Sequence, residues 1–190
     1  MKPFISSAKQ RILEVLFLHP EKEFSLSDMA KAAKVAKPHV SPILMELEKE
    51  DIIEIRKLST IWRITAKRED KFFRLKMVYN LHALLESGII ETISKDHPKA
   101  IILFGSYRFG EDVSTSDIDI AVEDSKEYRT EELRVSTKNS LKRIQLHHFS
   151  PASTDKNVLA NIANGIVLAG SITWTTRSSS RTRMAGLSRR

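Results

Sequence analysis

The sequence contains no cysteine, which excludes disulfide bonds, thiolate nucleophiles and cysteine-based zinc sites. Its six histidines lack the spacing that is typical of a transition-metal site. The apolar run over residues 12–18 contains Glu14; it is too short for a membrane span and lacks the flanks of a signal peptide. We therefore expect a cytoplasmic protein with no membrane partner.

The basic excess of the chain is unevenly distributed. The chain has 31 Lys and Arg against 24 Asp and Glu, a formal charge of +7 over 190 residues. Residues 171–190 contain five arginines and no acid, so residues 1–170 are close to neutral. We expect residues 171–190 to form a flexible basic tail, which either adds nonspecific affinity for nucleic acid or remains solvated and idle.

Helical periodicity predicts two helices near the start of the chain. The first is capped by Ser7 and ends at His19, because a residue that precedes proline avoids the helical region. The second is predicted over residues 28–34, with Ser27 as its cap.

A third helix and a hairpin complete the pattern. The helix begins at Lys37 or at Ser41, because Pro42 in its interior would remove a hydrogen bond. The β-type runs over residues 52–58 and 61–66 then predict two paired strands.

This order of elements resembles a winged helix-turn-helix domain, and we assign it to residues 1–68. In that family the third helix enters the DNA major groove and the hairpin touches the flanking backbone, so the resemblance implies DNA as a partner. The alternative is a dimerisation or protein-docking module, because residues 1–70 carry only 13 basic against 11 acidic residues. The candidate DNA-binding residues are Lys34, Lys37, His39, Ser41, Arg56, Lys57 and Arg63.

Residues 69–96 predict a helical linker. Apolar residues recur there at helical spacing, and Gly88 is expected to interrupt the helix. The apolar stripe is either core or the seam of a homodimer.

The most informative pattern lies in residues 97–170. A continuous apolar run over residues 100–104 predicts a buried strand, and Gly105-Ser106 ends it. A second strand follows, in which Asp117 and Asp119 share one face because strand side chains alternate. Such a carboxylate pair suits Mg²⁺ (or Mn²⁺), and a Gly-Ser turn suits phosphate.

These residues resemble the nucleotidyltransferase superfamily related to DNA polymerase beta, and within it the minimal nucleotidyltransferases. The shared pattern is Gly-Ser, ten residues, Asp, one residue, Asp, which here is Gly105-Ser106, Asp117 and Asp119. The resemblance implies an α+β protein, in which the winged helix is joined by a helix to a small α/β domain with a mixed sheet. It also implies that Asp117 and Asp119 hold the metal while Gly105, Ser106 and Arg108 bind the nucleotide.

One departure from the family pattern concerns the third carboxylate of its active members. On the strand where it is expected, over residues 143–149, the position is taken by Gln145, and His147 follows on the same face. His147 is therefore a candidate catalytic base, alongside a structural role for this histidine.

Three functions follow from these patterns. The leading hypothesis is an enzyme that transfers a nucleoside monophosphate from NTP to a hydroxyl acceptor, with its winged helix on DNA. The second is a DNA-binding regulator whose nucleotidyltransferase domain only binds nucleotide. The third is an antitoxin of a minimal nucleotidyltransferase pair, which binds or modifies a separate protein partner.

Overall fold

The computed structural model describes residues 7–58, 61–124, 128–137 and 140–172. The expectations for residues 173–190 and for the hairpin tip at residues 59–60 therefore lie outside the described residues. Within the ranges that are described, no helix is both long and apolar enough to cross a membrane.

Three helices open the fold. They are α1 (Ala8–Leu18), α2 (Leu26–Ala33) and α3 (Lys37–Lys49). Ser7 caps α1 as predicted, but the predicted cap of α2 at Ser27 is wrong. Ser25 takes that role because its hydroxyl accepts the Asp28 N–H, while the Asp28 carboxylate accepts the Ser25 N–H.

The third helix begins at the earlier of its two predicted starts. Lys37 is its first residue, Pro38 occupies the first turn and Pro42 lies inside the helix. Strands β1 (Ile53–Leu58) and β2 (Ile61–Ala66) then pair antiparallel. Three helices followed by this hairpin, around one apolar core, form the winged helix-turn-helix.

A long helix, α4 (Asp70–Glu86), links the two halves of the molecule. Phe72 near its start packs in the core of the winged helix, and Leu84 near its end packs in the core of the second half. Gly88 interrupts the helix as predicted, with a left-handed φ of 74°, and α5 (Ile89–Ser94) follows. The exposed side of α4 carries Leu75 and Val78.

The second half contains a five-stranded mixed sheet. Its elements are β3 (Ala100–Phe104), α6 (Gly105–Phe109), β4 (Ile118–Glu123), β5 (Arg129–Thr137), β6 (Ser140–Phe149), α7 (Lys156–Ala163) and β7 (Ile166–Gly170). The strand order is β5-β6-β4-β3-β7, in which only the β4–β6 pair is parallel. Helices followed by a mixed sheet confirm the predicted α+β fold class.

Alternation along the strands gives the sheet two different faces. One face packs its Ile, Leu and Val side chains against α4 and α5. The other face packs Ile102 and Phe149 against Ile162 of α7. The second face also carries Asp119 of β4, and polar side chains replace the apolar ones at this end of the sheet. The candidate site lies on this polar end.

Candidate functional site

The register of the sheet brings the Gly-Ser turn beside the carboxylate pair. Phe104, the last residue of β3, lies opposite Asp119 of β4. Gly105 follows directly, with a left-handed φ of 72° that glycine adopts without strain. A β-carbon at Gly105 would stand 2.3 Å from Oδ2 of Asp119. Glycine is therefore required here both by the backbone conformation and by the close carboxylate.

Asp117 is held by an arginine that the sequence interpretation did not single out. Nε and Nη2 of Arg143 donate to Oδ1 and Oδ2 of Asp117, each at 2.8 Å. This forked, charge-assisted contact is the strongest geometry for a guanidinium and a carboxylate. Hydrogen bonding to Arg143 holds the pKa of Asp117 below its usual value. Asp117 is therefore an ionised carboxylate whose charge is already matched by a cation.

Gln145 lies at the position that the family pattern gives to a third carboxylate. It pairs in register with Asp119 on the parallel neighbour β6. Its amide Nε2 donates to Oδ2 of Asp117 at 2.8 Å. Gln145 therefore adds a neutral donor to Asp117, where an acid would add a second negative charge.

His147 joins Asp119 to a tyrosine. Its Nε2 lies 3.3 Å from Oδ1 of Asp119, and its Nδ1 lies 2.6 Å from the hydroxyl of Tyr128. The tautomer that satisfies both contacts has Nε2–H donating to the carboxylate and Nδ1 accepting from the tyrosine O–H. Both ring nitrogens are then engaged, so His147 orients Asp119.

Arg108 borders an open cleft of about 430 Å³ between α6 and α7. Its guanidinium lies 4.0 Å from the centre of the Phe109 ring, and its Nε is buried without a hydrogen-bond partner among the described residues. Gly105 and the amides of Asn161 and Asn164 also border the cleft. The cleft is therefore adjacent to the Gly-Ser turn, and its walls provide hydrogen-bond donors from Arg108 and the two asparagines and an aromatic surface from Phe109.

The donor set does not fit the metal centre that the family resemblance implies. Both oxygens of Asp117 are occupied by Arg143, and the third position is the neutral Gln145. Over the ranges that the structure describes, no group of three His, Asp or Glu side chains is arranged to hold a metal ion. Mg²⁺ prefers several oxygen ligands in octahedral geometry, and only Asp119 has a carboxylate without a bound cation here.

The loop over residues 111–117 connects the turn to the carboxylate pair and is held from two sides. Nζ of Lys142 donates to the carbonyls of Val113, Ser114 and Ser116, at 3.0, 3.3 and 3.3 Å. The Ser114 N–H donates to Glu21 of the winged helix at 3.3 Å, and its hydroxyl donates to the same carboxylate. A direct contact therefore links the winged helix to the candidate site.

The seven candidate DNA-binding residues fall on one half of the molecule but in two environments. Lys34, Lys37 and His39 are exposed around the turn before α3, and Ser41 is half-buried. In the hairpin, Arg56 and Arg63 lie opposite each other across the strands, paired with Glu54 and Glu23 respectively. The remaining hairpin residue, Lys57, lies with its Nζ over the ring of Trp62, 4.6 Å from the ring centre.

Three site residues were missed by the sequence interpretation: Arg143, Tyr128 and Glu132. Arg143 had a signal, because it alternates with Gln145 and His147 and so shares their face of β6. Tyr128 and Glu132 had none, because their approach depends on the pairing of β5 with β6.

The fold is a winged helix followed by a small α/β domain with a mixed sheet. Residues 87–171 match the family model described as polymerase beta, nucleotidyltransferase. No curated protein matches the chain.

Matches among solved structures cover about half of the chain. MepR, a transcription regulator of the Staphylococcus aureus multidrug efflux pump MepA, is 20% identical over 49% of this chain and 69% of its own, with a TM-score of 0.38. The heme sensor protein PefR from Streptococcus agalactiae, in complex with heme, is 18% identical over 48% and 74%, with a TM-score of 0.34. NadR in complex with 4-hydroxyphenylacetate is 20% identical over 48% and 70%, with a TM-score of 0.32.

Proposed function

We propose that this protein is a DNA-binding regulator whose nucleotidyltransferase-type domain binds a nucleoside triphosphate without transferring its nucleotide. The observation that carries the proposal is the pairing of an intact Gly105–Asp119 contact with Gln145 at the third-carboxylate position. The first feature preserves the turn where phosphate is expected. The second removes the acid expected to serve transfer.

The nucleotide half of the proposal is supported by the cleft beside the turn. Ser106 offers a hydroxyl and an N–H to a phosphate group, and Arg108 contributes positive charge at the cleft. An aromatic ring at Phe109 and two amides complete a surface of the kind that takes a small polar ligand.

The absence of transfer is supported by the state of both candidate bases. Glutamine takes no proton at Gln145, and the ring nitrogens of His147 are both engaged. General base catalysis requires a group that can accept a proton from the attacking hydroxyl.

One incubation tests the nucleotide half. Each labelled NTP is mixed with the full chain, and bound label, labelled macromolecule and pyrophosphate are measured. We expect saturable binding of at least one NTP, with neither transferred label nor pyrophosphate. Arg108→Ala should weaken binding about tenfold, whereas Arg129→Ala, on the opposite face of the sheet, should not. Pyrophosphate release by the wild type would refute the proposal that the domain binds NTP without transferring its nucleotide.

The DNA half is tested by the salt dependence of binding. Lys37 and Arg56 carry positive charge at the helix turn and in the hairpin, and exposed ion pairs such as Arg56–Glu54 are weak enough to exchange for phosphate. Replacing both by Ala should weaken binding to all duplex sequences and make the salt slope shallower by about 1 per lost contact. The absence of binding by the full chain at about 50 mM salt would contradict this half.

The second candidate function is nucleotide transfer to a hydroxyl acceptor. Gln145 contacts Asp117 directly, so a single substitution at position 145 tests this function. The amide of Gln145 lies 2.8 Å from Asp117, so an acid at position 145 would put a carboxylate on this side of Asp117. If only the acid is missing, Gln145→Asp should produce pyrophosphate where the wild type produces none. A wild type that already produces pyrophosphate, with His147→Ala inactive, would favour transfer with His147 as base.

A further inference from the structure

The carboxylate that the family pattern gives to a metal already has a cation bound to it. Arg143 engages both oxygens of Asp117, and Gln145 donates to the second of them. These three donors use most of the acceptor sites of the carboxylate, so a metal ion at Asp117 would have to compete with the guanidinium. Asp117 is partly buried, with 18% of its side chain exposed, whereas Arg143 is half exposed, so the contact lies at the protein surface and owes its strength to its forked geometry.

The surrounding charges favour the guanidinium. Arg143 is one of the side chains that β6 presents on this face, and Glu132 of the neighbouring β5 lies 3.6 Å from its Nη1. Arg143 is thus flanked by two carboxylates, one on each side. Its guanidinium is half exposed and has five N–H groups, of which the fork on Asp117 uses two.

A guanidinium in this position also has the chemistry to receive phosphate. Arginine is always charged, is less strongly hydrated than an ammonium group and matches phosphate oxygens with parallel N–H donors. A divalent ion performs the same electrostatic task when it lies between carboxylates and a triphosphate.

We propose that Arg143 is the resident cation of this site: it replaces a divalent metal at Asp117, and nucleotide phosphates meet its guanidinium. The phosphate half rests on the nucleotide binding proposed above, whereas the replacement of metal does not. Nucleotide should accordingly bind in metal-free form.

The first test uses Mn²⁺ alone, followed by electron paramagnetic resonance of the free ion. Arg143→Gln should bind Mn²⁺ about five- to tenfold more tightly than the wild type, because a forked ion pair no longer competes. Arg129→Gln, which removes an exposed arginine from the other face, should behave as the wild type. Adding Asp117→Asn to Arg143→Gln should abolish the gain.

Equal Mn²⁺ affinities for the wild type and Arg143→Gln would overturn the proposal. Circular dichroism of each variant checks that it is folded, and the half-exposed position of Arg143 makes misfolding unexpected.

The second test is calorimetry with ATP, in EDTA and in Mg²⁺. The wild type should bind equally in both within about twofold, and Arg143→Gln should lose about tenfold in EDTA. A wild type that binds ATP only with Mg²⁺ overturns the proposal and leaves the proposed function intact. If the wild type binds no ATP in either buffer, the titration is repeated with the other three NTPs. Binding of none of them refutes the nucleotide half of the proposed function, and the Mn²⁺ test still decides whether Arg143 replaces the metal.

Discussion

Gly105 and Gly88 have nearly the same backbone conformation in different surroundings. Their φ angles are 72° and 74°. A β-carbon at Gly105 would collide with the Asp119 carboxylate, whereas one at Gly88 would meet no heavy atom within 4 Å. Replacing Gly88 by Ala therefore tests backbone strain alone, whereas replacing Gly105 by Ala adds a collision with the candidate site.

Gly88→Ala should destabilise the fold by about 1–2 kcal/mol, which is the left-handed penalty of a β-carbon. Gly105→Ala should destabilise it by more and should also weaken NTP binding at least about tenfold, because Asp119 must move. Urea unfolding and calorimetry measure the two effects. Equal NTP affinities in both variants would contradict the assignment of the turn.

Glu123 is a buried carboxyl group whose Oε2 has no hydrogen-bond partner among the described residues. Burial raises its pKa above the usual value, and Lys99, 4.0 Å away, opposes that shift only weakly. The folded state therefore holds this proton more tightly than the unfolded state does. Stability falls as the pH rises from the usual carboxyl range through the raised pKa.

Glu123→Gln should remove this loss. The variant should melt about 2–4 °C higher than the wild type at pH 7 for each 1 kcal/mol recovered, and at the same temperature below about pH 4. Thermal melts across this pH range measure the difference. A difference that is independent of pH would mean that the charge of Glu123 is not the cause.

The residues of the candidate site differ in how far the sequence could predict them. Asp117 and Asp119 follow from strand alternation, and Gln145 follows from the same rule on its own strand. The contact of Arg143 with Asp117 depends on the parallel pairing of β4 with β6, which joins residues 26 positions apart. Nothing in the local sequence determines that pairing, so the sequence alone does not predict the contact of Arg143 with Asp117.

At the scale of elements, α3 contains two prolines in unequal positions. Pro38 lies in the first turn, where an N–H has no partner within the helix. Pro42 lies in the interior, where its ring removes the hydrogen bond that position 42 would make to the carbonyl of Pro38. The helix forms in spite of Pro42 because Val40, Leu44 and Leu47 are buried in the core.

Pro42→Ala should therefore stabilise the winged helix by about 1–3 kcal/mol, because it restores a helical hydrogen bond. Pro38→Ala, the matched change in the first turn, should alter stability by no more than about 1 kcal/mol. Urea unfolding curves compare them. A stabilisation by Pro38→Ala as large as that by Pro42→Ala would contradict this account.

Elements with a strong local signal were predicted, and those that depend on distant partners were not. The helix α1 has both its cap and its proline stop, and the hairpin has two β-type runs. The strand β5 was missed because its sequence, rich in Arg, Glu and Thr, lacks an apolar alternation. Its pairing with β6 along nine residue positions stabilises it instead.

At the scale of the whole molecule, one short loop of the winged helix contacts both the candidate nucleotide site and the hairpin that is expected to bind DNA. Within the segment between α1 and α2, Glu21 accepts from Ser114 beside the candidate site. Two residues later, Glu23 pairs with Arg63 of the hairpin. A ligand that moves Ser114 therefore also moves the loop that holds Arg63, and a ligand that moves Arg63 moves the loop that holds Ser114.

If both ligands bind, NTP should change DNA affinity about fivefold or more in the wild type, and DNA should change NTP affinity by the same factor. Glu21→Ala should bring this factor close to 1 and leave each separate affinity within about twofold. Glu91→Ala, on the exposed side of α5, is the control. Anisotropy titrations with and without NTP measure the factor, and a coupling that survives Glu21→Ala would exclude this route.

The helix α4 gives the molecule a single folding unit. Because Phe72 belongs to one core and Leu84 to the other, neither core can open without exposing part of the same helix. The buried pair of Lys76 and Asp112, 2.9 Å apart, reinforces this, because it joins α4 to the loop that follows α6 in the second half. A chain with two recognisable domains should therefore melt in one calorimetric transition, with equal van't Hoff and calorimetric enthalpies.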